Sequence, residues 1–295
     1  MPQPRPQCVI PLLLVLAGCG EENTGPSRSW TADTLVTGLE YPTGLAVAGG
    51  TVYLTETAGR NTGFGGKVQL DEYVVSTGAF SLLLDHPANS DALAVTASGD
   101  IYLTSYVSVL PGDQGDVSVV DGVTLVESPV TGLAIASSDM VLDQSGDIYI
   151  LGASDTPGAA SLYRLSASDY TDTTVVKRGL GRATALARYG DDTFFSDLTG
   201  IKRLSPTGSV TPVLQHAGII SLAVAGQFLY FADFLAGEIG RVNLNNGAVD
   251  PVLEGLSQPL AIRYDAGSNR LYLLDGGTLA NEFKDGVLAV ISNLD

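Results

Sequence analysis

Six acidic residues recur at comparable places along this chain of 295 residues: Glu56, Asp91, Asp139, Asp197, Asp233 and Asp275. Glu56, Asp197, Asp233 and Asp275 follow short aromatic and aliphatic runs, whereas Asp91 and Asp139 precede small apolar ones. Carboxylates gathered at one place suit a hard divalent cation, Ca or Mg, which takes oxygen ligands. Acids just after a strand also cap the turn that follows, so the same residues have a structural use. Arg60, Asn61 and Tyr106, with Phe64 and Phe283, lie in long insertions and offer donor forks or stacking faces to a ligand. His86 and His216, the two histidines, are suited to general-base work. No Gly-x-Ser-x-Gly elbow, catalytic cysteine, P-loop or dinucleotide fingerprint accompanies them. The segment Asp143-Gln144-Ser145-Gly146-Asp147 has the look of a calcium loop but lacks the later bidentate acid, so it reads as a hairpin.

The elements that position these residues are repeats. Gly218 to Leu256 divides into four short strands separated by Gly226-Gln227, Leu235-Ala236-Gly237 and Asn245-Asn246-Gly247, with the most apolar strand first. Gly and Asn take positive φ cheaply and close hairpins, so the segment describes one propeller blade. Its first strand recurs as Leu45-Ala46-Val47, Leu93-Ala94-Val95, Met140-Val141-Leu142, Ala185-Leu186-Ala187, Leu222-Ala223-Val224 and Leu260-Ala261-Ile262, a spacing typical of blades. The second strand recurs with an aromatic at one fixed step: Tyr53, Tyr102, Tyr149, Phe194, Tyr230 and Tyr272. Small residues suit strands converging on a narrow channel, and the aromatic fills the gap between sheets.

The last unit lacks a fourth strand, and Thr31 to Leu39 has no blade of its own. The predicted fold is therefore all-β, a six-bladed propeller with four antiparallel strands per blade and its ring closed by the amino-terminal strand, which removes exposed sheet edges. In that topology the loops after second strands and those leading into first strands share one face. The six acids are expected to form a rim there, with Arg60, Asn61 and Tyr106 in the neighbouring loops.

Arg5 precedes the apolar run Val9 to Ala17, the length of a signal-peptide core. It ends in Leu16-Ala17-Gly18-Cys19, which resembles the lipobox of bacterial lipoproteins, in which cleavage precedes the cysteine and the cysteine carries the lipid. The division expected is a signal peptide over 1–18, lipidated Cys19 and a tether over 19–29, and the propeller over 30–295. The lipid on Cys19 makes the membrane a partner and places the chain in the cell envelope; Gly20 points to the outer membrane. A formal charge of −17 repels phosphate backbones, so nucleic acid is excluded as a partner, and the chain is expected to be monomeric.

Gly38-Leu39-Glu40-Tyr41-Pro42-Thr43-Gly44-Leu45-Ala46 and Asp147-Ile148-Tyr149-Ile150 resemble the repeat of NHL-type and SMP-30/gluconolactonase-like six-bladed propellers over about residues 31 to 295. The resemblance implies a lactonase or lyase holding a divalent cation with a first-blade Glu, for which Glu40 and Glu56 are counterparts, and an Asn and an Asp from later blades. The Glu-Gly-Pro-x-Trp and Asn-Gly-x-x-Trp elements of that family are missing. A Thr55-Glu56 and Gly59-Arg60 match to quinoprotein sugar dehydrogenases covers one loop. The sequence reads first as a module binding a small ligand or an envelope protein at the channel mouth, and second as a cation-dependent hydrolase or lyase.

Overall fold

A computed structural model describes residues 30–57, 68–86, 92–105, 116–134, 137–153, 159–170 and 172–294. After β1 (Ala32–Leu39), the first blade is β2 (Pro42–Ala48), β3 (Thr51–Thr57), β4 (Val68–Val74) and β5 (Ala79–His86). The second is β6 (Leu93–Val95), β7 (Ile101–Ser105), β8 (Asp116–Val120) and β9 (Glu127–Ala134). The third is β10 (Ser137–Leu142), β11 (Ile148–Ala153), β12 (Ala160–Leu165) and β13 (Thr173–Lys177). The fourth is β14 (Ala185–Tyr189), β15 (Asp192–Asp197), β16 (Gly200–Leu204) and β17 (Val210–Leu214). The fifth is β18 (Ile219–Ala225), β19 (Phe228–Asp233), β20 (Glu238–Asn243) and β21 (Val249–Glu254). The sixth has β22 (Pro259–Asp265), β23 (Arg270–Asp275) and β24 (Gly286–Ser292), and its outer strand is β1, in the order β22-β23-β24-β1.

Ala32 pairs with Ile291 and Leu39 with Gly286, so the amino-terminal strand completes the last sheet as the incomplete end units predict. The six first strands touch in sequence and β2 packs on β22, which closes the ring. Four of these strands carry a register shift at their leading end: Pro42/Leu45, Ser137/Asp139, Ile219/Ser221 and Pro259/Ala261. A bulge there re-aims the residue that reaches the channel mouth.

The core lies between blades. Tyr230 and Tyr272 are fully buried; Tyr230 packs with Ile262 and Leu271 of the next blade, and Tyr272 with Leu45 and Leu54 of the first. Tyr102, Tyr149 and Phe194 are buried as well, which bears out the gap-filling role of the repeated aromatic. The Asp143 to Asp147 segment is a hairpin: Asp143 Oδ1 accepts from Ser145 N at 2.8 Å and Asp147 N at 3.1 Å.

The aromatic step also corrects the alignment of first strands. Tyr53, Tyr102, Tyr149, Phe194 and Tyr230 stand opposite Ala46, Ala94, Val141, Ala187 and Ala223, but Tyr272 stands opposite Arg263. In the fourth blade the equivalent residue is Ala187 rather than Leu186, and in the sixth it is Arg263 rather than Ala261. A guanidinium thus takes a place that is small or aliphatic in every other blade.

Candidate functional site

The channel is crossed by an ion pair. Arg263, on the first strand of the sixth blade, donates from Nη2 to Asp139 Oδ1 of the third blade at 2.5 Å; these blades face each other across a six-membered ring. Arg263 Nη1 also donates to Ile262 O at 2.9 Å and Ser221 Oγ at 3.3 Å. Asp139 accepts from Met140 N and Leu186 N, each at 2.8 Å. Burial pushes the Asp139 carboxyl up, against the pull of the guanidinium and the two N–H donors. One step above, Thr43, Ser138 and Thr184 stand at the mouth: Thr43 Oγ1 is 3.2 Å from Thr55 Oγ1, Ser138 Oγ donates to Leu151 O at 3.2 Å, and Thr184 Oγ1 is 3.1 Å from Ser196 Oγ. Below the pair lies a cavity of about 250 Å³ with aliphatic walls, among them Val47, Val95 and Leu142, and the side chains of Arg188, Arg263 and Tyr264.

Among the described residues, the acids expected to share one rim do not meet one another as a set of ligands, and each has local partners. Asp197 accepts from Thr199 N at 2.8 Å and is ion-paired with Lys202; burial alone pushes its carboxyl up, yet Lys202 and Thr199 hold it below the ordinary range. Asp275 accepts from Ser257 N and Gln258 N at 2.8 Å and from Gly277 N at 3.1 Å. Both cap turns. Glu56 accepts from Glu40 N at 2.8 Å, and burial raises its carboxyl. Asp139 lies inside the channel rather than on its rim. Phe283 meets Tyr41 edge to face, with ring centroids 5.4 Å apart. Asp91, Arg60, Asn61, Tyr106 and Cys19 lie outside the described residues. Asp139 is paired with the guanidinium of Arg263, itself a cation, and so offers no free carboxylate to a metal ion inside the channel.

Of the five acids among the described residues, Asp233 alone joins a group of ligand geometry. One ring nitrogen of His216, a carboxylate oxygen of Asp233 and one of Glu238 all lie within 4.8 Å of one another, the one such trio found among the described residues. His216 sits on the link between the fourth and fifth blades, while Asp233 and Glu238 face each other across the β19–β20 turn. Asp233 Oδ1 accepts from Leu235 N at 2.9 Å and Ala236 N at 3.0 Å, and its Oδ2 meets His216. Sequence reasoning missed Glu238. The signal was available in the hairpin, since a four-residue turn after Asp233 brings Glu238 back opposite it.

A second missed group is Asp71 of β4. It is 3 % exposed, and its Oδ2 has no hydrogen-bond partner among the described residues. Burial first, then the Glu56 and Asp85 charges, pushes its carboxyl up to about 7.

No known family profile and no curated protein sequence matches the chain. Solved structures do. A PQQ-bound aldose sugar dehydrogenase from Streptomyces coelicolor superimposes with a TM-score of 0.69 at 15% identity, over 89% of this chain and 97% of that one. A calcium-binding protein, regucalcin, from Agrobacterium tumefaciens gives 0.68 at 15% identity, over 89% and 94%. A gluconolactonase from Xanthomonas campestris gives 0.64 at 16% identity, over 89% of each. The chain therefore has the six-bladed propeller fold of the regucalcin- and gluconolactonase-like structures.

Proposed function

We propose that this chain is a lipid-anchored propeller of the cell envelope, held at the outer membrane through Cys19, that receives a small polyhydroxylated ligand at the mouth on its loop-bearing face. The observation that carries this is the Arg263–Asp139 ion pair, which spans the channel between opposite blades and gives the mouth a polar floor, making it a cup. Thr43, Ser138 and Thr184 line the cup with hydroxyl groups, the chemistry that complements a polyhydroxylated ligand. The charge of −17 favours neutral or cationic ligands over phosphates. The names of two similar structures, an aldose sugar dehydrogenase and a gluconolactonase, support a sugar-derived ligand.

A second reading, hydrolysis of a sugar lactone, is favoured by the His216, Asp233 and Glu238 group on the same face. A divalent cation held there would supply Lewis-acid polarisation of an ester carbonyl.

One experiment separates the two. The purified chain is titrated calorimetrically with aldoses, aldonic acids and aldonolactones, while lactone opening is followed by proton release. Saturable binding without turnover, weakened about tenfold by Thr184→Val, supports the binding module. Turnover that chelation abolishes moves the assignment to the hydrolase. Neither binding nor turnover across the panel removes both.

A further inference from the structure

We propose that His216, Asp233 and Glu238 bind one divalent transition-metal cation, Zn2+ or Mn2+, on the loop face of the fifth blade. The donor set comes first. One imidazole nitrogen and two carboxylate oxygens lie within 4.8 Å of each other. Zn2+ bonds such atoms at about 2 Å, which places donor pairs about 3 to 4 Å apart, so closing on an ion needs only side-chain adjustment. An imidazole in the set favours Zn2+ over Ca2+ and Mg2+, which prefer oxygen throughout, and the two carboxylates keep the set open to Mn2+.

The group is also preset. Asp233 is 1 % exposed, and two backbone N–H groups hold its Oδ1, which leaves Oδ2 directed at His216. Gly218 makes this close packing possible: a Cβ there would sit 2.7 Å from Asp233 Oδ1, and its φ is +90°. The His216 ring rests near Phe231, with centroids 6.1 Å apart. Two backbone donors already satisfy the turn, so capping does not require Glu238. A second carboxylate beside a buried one is unfavourable unless a positive charge lies between them. The imidazole of His216 is 41 % exposed and Glu238 is partly exposed, so water can complete the coordination shell.

The cation stands independently of ligand or lactone chemistry, and its test reads binding directly. The purified chain is stripped with EDTA, dialysed and titrated with ZnCl2, MnCl2, CaCl2 and MgCl2. Expected are one Zn2+ or Mn2+ per chain in preference to Ca2+ and Mg2+, a melting temperature raised by several degrees, and visible absorption bands on loading with Co2+. His216→Ala and Glu238→Gln each weaken binding about tenfold or more, while the metal-free variants melt within about 2 °C of the metal-free parent; His86→Ala binds unchanged. The proposal is overturned if no saturable one-to-one binding appears, if Ca2+ or Mg2+ is preferred, or if both variants keep the parent affinity, since His216 and Asp233 are then a turn-capping pair only. Metal binding without lactone opening leaves this site standing and counts only against the hydrolase.

Discussion

Arg263 and Asp139 are 124 residues apart and belong to opposite blades, yet their side chains meet at 2.5 Å in the channel. Adjacent blades are held by interdigitated core side chains, and this contact instead ties two blades that share no sheet. Both partners are deeply buried, with side chains 14 % and 7 % exposed. Such a pair contributes little net stability over apolar replacements, but either half left alone is costly.

Arg263→Ala is expected to destabilise the ring by about 3–5 kcal/mol, because Asp139 loses its buried charge partner. Arg263→Met combined with Asp139→Asn recovers part of that loss, because the amide oxygen keeps an acceptor for the Met140 and Leu186 N–H groups. Urea unfolding of the two variants beside the parent measures both; equal stability of Arg263→Ala and parent contradicts the contact.

A chain beginning at Glu40 lacks the outer strand of the sixth blade and exposes the edge of β24. It is expected to melt at least about 10 °C lower or to associate through that edge. Differential scanning calorimetry with light scattering reads both, and a monomer melting with the parent is the contrary outcome.

Asp71 gives the fold a pH dependence. Its carboxyl titrates near 3.8 ordinarily and near 7 in the folded chain, for reasons of burial first and of Glu56 and Asp85 second. Between these values the folded chain keeps a proton that the unfolded chain has lost, so this group's contribution to stability falls as pH rises from 4 to 7. Asp71→Asn is expected to flatten that slope and to stabilise the protein at pH 8 by about 1–3 kcal/mol. Denaturant midpoints at pH 5 and pH 8 check the sign; a variant less stable at pH 8 than the parent refutes it.

Gly240 faces the Phe231 ring, and a Cβ at that position would lie 2.3 Å from the ring's Cζ. Gly240→Ala is expected to cost about 1–3 kcal/mol through overpacking. Thermal unfolding measures the loss, and an unchanged melting temperature shows that the ring can move aside.

The fold was legible because each blade repeats a small first strand and an aromatic-bearing second one, and because the unpaired ends at Thr31 and in the last unit called for each other. The cross-channel pair was not. In the last blade the Leu260-Ala261-Ile262 pattern looks like that of its neighbours, and a slip of two residues preserves which face each side chain takes. Only the pairing of Tyr272 with Arg263 exposes the slip. Acids after second strands were visible as a class, but their partners were not: Asp197 finds a lysine and Asp275 finds backbone amides, while Asp233 finds a histidine from the preceding link. Those differences depend on turn geometry at each site, which the repeat does not encode.

The side on which the chain joins the wheel has a further consequence. Arg241 stacks on both Trp30 and Phe228, so the start of β1 lies level with the start of β19, and His216 and Asp233 lie at the far end of that strand. The separation is one strand length, roughly 17 Å. The polypeptide therefore enters the wheel on the face away from both the channel mouth and the His216–Asp233 pair.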